Sequence, residues 1–344
     1  MTDGKRKRAD IVSVAKAARV SASTVSRYFN HPELLKPTTR KKIEAAVRKQ
    51  GYIRNRAAQT IHGIRSGTIG VVVPTIDHTI FAEVVQAFSD AVAAEGFTIL
   101  LASHGYDQQR EYEILRKLLE HRVDGIALTG LDHDSAVFQL IDSQQTPAVL
   151  MWNYAQSSAH PSIGADNEMA GRLIAQHALA QGHRDIACLL APGEGNDRAK
   201  ARSTAILQTL GEAGVQVPEP WQVTTVYSIA ASKRAALELF DGPRRPTALI
   251  CGNDILATGA MHAVARAGLR VPQDVSVYGI GDFKGSSDSE PALTTVRLPA
   301  RSIGRKAGEN LARAIKNPSA PRHGEHCAPQ LIVRGSCRTL HRAP

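Results

Sequence analysis

The sequence predicts an α + α/β protein: a small N-terminal three-helix unit followed by a larger, two-lobed α/β region. Three observations predict it. The chain has 344 residues, and at roughly 150 residues per domain that implies two or three units. Residues 1–63 hold 15 Lys and Arg against 4 Asp and Glu, and the remainder 27 against 28, so the whole +10 net charge resides in the first fifth of the chain. From residue 68 onward, short apolar runs alternate with helix-length amphipathic segments, the pattern of parallel sheets covered by helices on both faces.

In the basic segment, Ile11, Val14, Ala15 and Ala18 share one helical face, with Asp10 as N-cap. After a turn at 19–21, Ser21 is placed to cap a second helix over 22–30, with Val25 and Phe29 inward. Two prolines make 31–37 a loop. Thr38 or Thr39 then caps a third helix whose inward face is Ile43, Ala46 and Val47 and which stops at Gly51. Helix, tight turn, helix and bracing helix is a helix-turn-helix arrangement. Its excess of positive charge points to a polyanionic partner.

Further on, strands are expected at 69–73, 98–102, 125–129, 148–152, 186–190, 248–251 and 276–280. Helices are expected at 81–95, 110–121, 168–181, 199–213, 232–241 and 255–267. That is too many units for one sheet, so two similar lobes follow, with a ligand cleft at the carboxyl ends of the strands. No apolar run approaches about 18 residues, so no membrane association is expected, and the basic N-terminus lacks the apolar core of a secretory signal. The four cysteines, Cys188, Cys251, Cys327 and Cys337, never form a C-x-x-C pair. They read as free thiols of a reducing, cytoplasmic setting. The glycine pairs at 193–195 and 279–281 complete no phosphate loop, and no nucleophile elbow or zinc motif occurs, so neither an enzyme nor a cofactor is expected.

Val20-Ser-Ala-Ser-Thr-Val-Ser-Arg27-Tyr-Phe-Asn30, Thr39-Arg-Lys-Lys-Ile-Glu-Ala-Ala and Gly51-Tyr-Ile-Arg-Asn55-Arg-Ala-Ala resemble the DNA-binding segment of the lactose-repressor (LacI/GalR) family. The similarity continues through Ile69-Gly-Val-Val-Val-Pro, Asp124-Gly-Ile-Ala-Leu, Asp166-Asn167, Gly182-His-Arg-Asp-Ile-Ala, Cys251-Gly-Asn-Asp254, Pro291-Ala-Leu-Thr-Thr-Val and Leu331-Ile-Val-Arg-Gly-Ser336. Within that family, Ile80-Phe-Ala-Glu-Val and His104-Gly-Tyr106 are most similar to the gluconate-repressor group. The resemblance implies a helix-turn-helix domain at 8–54, a hinge helix at 55–63, a linker at 64–68 and a periplasmic-binding-protein-like effector and dimerisation domain at 69–344. A solute-binding protein without DNA function is the rival, disfavoured by the basic segment.

The resemblance implies base contacts from Ala22, Ser23 and Arg27, and the hydroxyls of Thr24 and Ser26 suit phosphates. It places Asn55, Arg56 and Ala57 along the minor groove, with Ile61 where the family usually has a Leu wedge. Arg19 stands where the family has a turn glycine with positive φ. One such unit reads a half-site, so a homodimer on a pseudo-palindromic double-stranded operator is expected. The tail after Ser336 lacks a heptad helix that would make a tetramer.

For the effector, the family's ligand positions fall on His78, Ile80, Phe81, Trp152, Arg202, Tyr227 and Asn253. Arg198 lies one turn before Arg202. The family's usual carboxylate aligns with Gly281, leaving the neighbouring Asp282 and Lys284 as candidates. Two arginines and a missing carboxylate favour an anionic sugar derivative such as gluconate or a keto-gluconate.

Overall fold

The computed structural model describes residues 9–54 and 65–340. The chain divides into two compact units, Met1–Ser66 and Gly67–Pro344. The expected hinge helix, with Asn55, Arg56, Ala57 and Ile61, lies outside the described residues.

In the first unit, α1 (Ile11–Ala18) opens with a capping box: Asp10 Oδ1 accepts the Ser13 amide at 2.8 Å, and Ser13 Oγ accepts the Asp10 amide at 3.1 Å. Reciprocal capping satisfies two amides that the helix leaves without a partner. α1 ends on Arg19, held left-handed at φ 55° and ψ 48°, with its amide reaching Ala15 O and Lys16 O. The positive φ expected of a glycine is therefore present, borne by a residue with a Cβ. α2 (Ala22–Asn30) is capped by Ser21 Oγ, which accepts the Thr24 amide at 3.2 Å. α3 departs from expectation. It spans Pro37–Gln50 with Lys36 as N-cap, and neither Thr38 nor Thr39 caps it. Proline suits the first helical position, because it lacks an amide hydrogen that would go unpaired there and its φ is already helical. Val14, Ala15, Ala18, Val25, Ile43 and Ala46 form the buried centre. Phe29 closes one side against Tyr52 (ring centroids 6.0 Å apart), and the Arg54 guanidinium lies 5.5 Å from the Phe29 ring centre.

The second unit holds two six-stranded sheets. Its strands are β1 (Thr68–Val73), β2 (Thr98–Ser103), β3 (Gly125–Thr129), β4 (Ala148–Asn153), β5 (Ser162–Ala165), β6 (Ile186–Leu190), β7 (Gln222–Thr224), β8 (Ala248–Cys251), β9 (Ser276–Gly281), β10 (Thr294–Arg297), β11 (Glu325–His326) and β12 (Gln330–Ile332). Their orders are β11-β5-β4-β3-β1-β2 and β12-β10-β9-β8-β6-β7. Every pairing is parallel except β10 with β12. The helices are α4 (Thr79–Ala94), α5 (Gln108–Glu120), α6 (Ser135–Ser143), α7 (Asn167–Ala180), α8 (Asp197–Glu212), α9 (Ile229–Glu238), α10 (Asp254–Arg266) and α11 (Ala300–Lys316). The chain passes between lobes three times: after β5, after β10 and between β11 and β12.

Sequence periodicity missed α6, α11 and the short strands β5, β7, β10, β11 and β12. α11 returns from the second sheet to pack on α4 of the first lobe. Gly304 permits that approach, since a Cβ there would lie 2.2 Å from the Val84 carbonyl oxygen. Among the described residues no helix is long and apolar enough to cross a membrane.

Candidate functional site

On the first unit, α2 buries Val25 and turns Ser23 and Arg27 outward, one helical turn apart. Ala22 is half-buried against the core. The Thr24 hydroxyl lies 2.7 Å from Ser21 Oγ, and Ser26 Oγ accepts the Asn30 amide at 3.4 Å, so both hydroxyls have neighbours within their own helix. Ser23 and Arg27 are the exposed side chains of this helix face, the Ser23 hydroxyl also lying 2.8 Å from Ser21 Oγ.

On the second unit, a narrow cavity of about 20 Å³ lies at the carboxyl ends of the strands, between the two sheets. His78, Ile80, Phe81, Arg198, Arg202, Trp152, Tyr227 and Asn253 line it. The first lobe contributes the loop into α4, where His78 is the N-cap, and Trp152 near the end of β4. The second contributes α8 and the loops after β7 and β8. Asn253 Oδ1 caps α10 by accepting the Leu256 amide at 2.9 Å.

The rings face one another across the lobes. His78 stacks on Phe81 (6.4 Å) and meets Tyr227 edge-on (5.5 Å), while Phe81 packs on Trp152 (5.7 Å). Burial lowers the His78 pKa, opposed by a hydrogen bond to the Tyr227 backbone. Outside this ring cluster, Thr75, Pro192, Glu194 and Val226 continue the opening to the surface.

The two arginines differ in charge balance. Arg198 is buried, and its Nη1 lies 2.9 Å from Asp197 Oδ1, so its charge is met within the protein. Arg202, 6% exposed, has only neutral partners: Nη1 donates to Asn167 Oδ1 at 2.9 Å and Nη2 to the Tyr227 hydroxyl at 3.1 Å. Its Nε is buried with no partner among the described residues. The described lining contains no carboxylate side chain. A buried guanidinium without a counter-charge is costly, and the Nε and Nη2 edge matches a carboxylate bidentately.

Asp282 and Lys284 are not in this lining. The Asp282 carboxylate sits between Arg297 and Arg334, at 2.6 and 2.7 Å, and Lys284 is exposed. Left-handed backbone at Asp282 (φ 55°) turns the chain so that Phe283, between them, lines the cavity instead. Tyr106, Asn196 and Leu298 are the other lining residues that sequence reasoning missed. Burial pushes the Tyr106 phenol up to about 12, so it stays a neutral donor. Tyr106 lies inside the His104-Gly-Tyr106 motif, and an Asn just before a helix start was the available signal for Asn196.

A hydrogen-bonded chain joins the lobes beside the cavity. From Arg202 it runs to Asn167, whose Nδ2 donates to Asn153 Oδ1 at 2.6 Å. Asn153 Nδ2 then donates to Asp197 Oδ2 at 2.5 Å, which also accepts the Leu131 amide at 2.9 Å. Arg198 Nη1 meets Thr129 O at 3.4 Å.

Residues 10–55 match the family "Bacterial regulatory proteins, lacI family", and residues 175–337 match a periplasmic binding protein-like domain. The chain is 30% identical over 331 residues to the HTH-type transcriptional repressor PurR of Klebsiella pneumoniae subsp. pneumoniae, covering 95% of this chain and 96% of that protein. The chain belongs to the lacI family. Its fold matches that of a LacI-family transcriptional regulator from Silicibacter pomeroyi (TM-score 0.87, 22% identity, 96% of this chain and 99% of that one). It also matches the lac repressor dimer bound to operator and the anti-inducer ONPF (TM-score 0.84, 26% identity, 96% and 100%). This lacI-family protein is thus a DNA-binding transcriptional repressor that responds to a small-molecule effector.

Proposed function

We propose that this repressor controls genes of carbohydrate metabolism as a homodimer on a pseudo-palindromic operator, and that a sugar acid such as gluconate or a keto-gluconate switches it. The observation that carries the effector class is Arg202: a buried guanidinium with neutral partners and an unfilled Nε, in a lining without carboxylates. One negative charge on the ligand would complete it. Asn196, Asn253, Tyr106 and Tyr227 stand in the same lining and would meet the ligand's hydroxyls through their remaining donors, since the Asn196 and Asn253 oxygens already cap α8 and α10.

In this reading Ser23 and Arg27 face base edges, Ala22 lies close against them, and Thr24 and Ser26 meet phosphates. Asn55, Arg56, Ala57 and Ile61 enter the minor groove as a hinge helix. The homodimer is supported by β2, an edge strand whose Leu100 and Leu101 are 40% and 41% exposed. An apolar sheet edge of this kind is ordinarily covered. Effector binding would act by changing how the two lobes close, a coupling typically worth about 1–3 kcal/mol.

Gel-shift titration of the full chain on its own promoter, with and without a panel of sugar acids, tests this. The reading predicts that an acid changes operator affinity while the neutral sugar does not. Unchanged affinity across the acids would reject the effector class.

A further inference from the structure

The cavity's second-lobe wall rests on an exchange between two positions. Gly281, the last residue of β9, has φ 137°, and a Cβ built there would lie 2.0 Å from Phe283 Cε1 and 2.4 Å from Phe283 Cδ1. The Phe283 ring therefore occupies the volume that any side chain at 281 would need. An aromatic ring thus lines the cavity where a side chain at the end of this strand would otherwise stand.

The seat of that ring is tied down by buried hydrogen bonds. Asp254, 2% exposed, accepts the Phe283 amide at 2.8 Å, the Ser286 hydroxyl at 2.7 Å and the Thr295 hydroxyl at 2.6 Å. These bonds tie the loop after β9 to α10 and β10. Gly279 makes room for the carboxylate, since a Cβ there would lie 2.3 Å from Asp254 Oδ1. On the other side, Arg297 and Arg334 hold the Asp282 carboxylate, fixing the reversal that precedes Phe283. Phe283 is thus positioned from both flanks.

We infer that Phe283 is a specificity-determining residue, selecting an effector whose carbon skeleton is closed into a ring. The inference rests on the anionic-effector reading above and narrows it, placing open-chain gluconate below the ring-form acids. The first lobe offers Phe81 and Trp152 to the same cavity, so apolar surface faces the ligand from both lobes. A pyranose or furanose carboxylate gathers its C–H groups on ring faces that can lie against such surfaces, while its acid meets Arg202. An open-chain polyol acid has hydroxyls on successive carbons and no continuous apolar face. Laid against Phe283, it would leave hydroxyls without partners, and an unpaired polar group is costly in a closed site. Ring-form acids, among them uronates and cyclic keto-aldonates, are therefore preferred over linear aldonates.

The test is calorimetric titration of the full chain with glucuronate, a cyclic 2-keto-gluconate, open-chain gluconate and neutral glucose. Wild type and the Phe283→Ala, Phe283→Leu and Phe283→Tyr variants are compared, each confirmed folded by circular dichroism. The expected result is that a ring-form acid binds wild type at least tenfold more tightly than gluconate. Phe283→Ala and Phe283→Leu should erase most of that ratio, and Phe283→Tyr should keep it. Acids binding without ring preference, or all weakening equally in Phe283→Leu, would overturn the ring inference and leave the Arg202 reading standing. No acid binding to wild type would overturn both.

Discussion

Asp197 holds the backbone of Leu131 across the cleft: its Oδ2 accepts the Leu131 amide at 2.9 Å while its Oδ1 is bonded to Arg198. One carboxylate at the start of α8 thereby joins a loop of the first lobe to the arginine helix of the second. Gly130 lies under this contact, where a Cβ would be 2.5 Å from Arg198 Nη1.

Replacing Asp197 with Ala should loosen lobe closure and leave Arg198 with no acidic partner. Hydrogen bonds to charged groups contribute about 1.5–3 kcal/mol. Effector affinity is expected to fall by roughly tenfold to a hundredfold, read by titration calorimetry, with the isolated operator affinity of the unliganded protein changed much less. An affinity within twofold of wild type would show that the Asp197–Leu131 bond does not support closure on the ligand.

Arg202→Ala removes the guanidinium that has no counter-charge among the described residues. Binding of an anionic effector should fall by about a hundredfold, corresponding to roughly 3 kcal/mol. Arg202→Lys should rescue little, because an ammonium cannot offer two parallel N–H bonds. Fluorescence titration can follow this in a Trp221→Phe background, where Trp152 in the cavity wall is the remaining tryptophan. An anion that binds the alanine variant as tightly as wild type would move the ligand's charge elsewhere.

Arg27→Ala and Ser23→Ala separate base reading from phosphate attraction. A lost bidentate base contact costs about 1–3 kcal/mol at one operator position and relaxes preference there. Anisotropy titrations against operator variants should show Arg27→Ala losing discrimination at one base pair, with a salt slope changed little. A uniform loss across all sequences, with a shallower slope, would instead make Arg27 a phosphate contact.

His183 sets a pH dependence of stability. It is fully buried, with Nε2 3.2 Å from the Arg338 carbonyl oxygen and Nδ1 3.0 Å from the Thr247 hydroxyl. Burial takes its pKa down from 6.5 to about 4. Between those values the unfolded chain binds the proton and the folded chain does not, so stability is lost as pH falls through that window. The slope from one such group reaches about 1.4 kcal/mol per pH unit. Stability from denaturant melts should fall as pH is lowered from 7 to 4, and His183→Gln should flatten that dependence. An unchanged curve in that variant would mean the histidine is protonated in the fold.

The helix-turn-helix unit was legible because its signals are local: Asp10 and Ser21 as caps, Gly51 as a stop, and apolar residues at helical spacing. Position 19 was legible in conformation, although its residue is an arginine. The third helix start was misjudged because Thr38 and Thr39 look like caps while Pro37 fits the first turn better. The parallel strands were legible as continuous apolar runs. α11 was not, because its partner, α4, is more than two hundred residues earlier in the chain. In the cavity, residues on strand ends and helix starts followed from alignment of position. Phe283 did not, since its place depends on the left-handed turn at Asp282 and on the empty side-chain volume at Gly281. The link between Asp197 and Asn153 likewise depends on how two lobes meet, which no local pattern encodes.

The most direct test of the central claim is a salt series of gel shifts with the full chain on its own promoter, repeated for wild type and Arg202→Ala with sugar acid at a concentration that just saturates wild type. The account predicts salt-sensitive binding by both proteins and a change in operator affinity on adding the acid only in wild type. Operator binding absent at every salt concentration, or an identical response to the acid in Arg202→Ala, would contradict it.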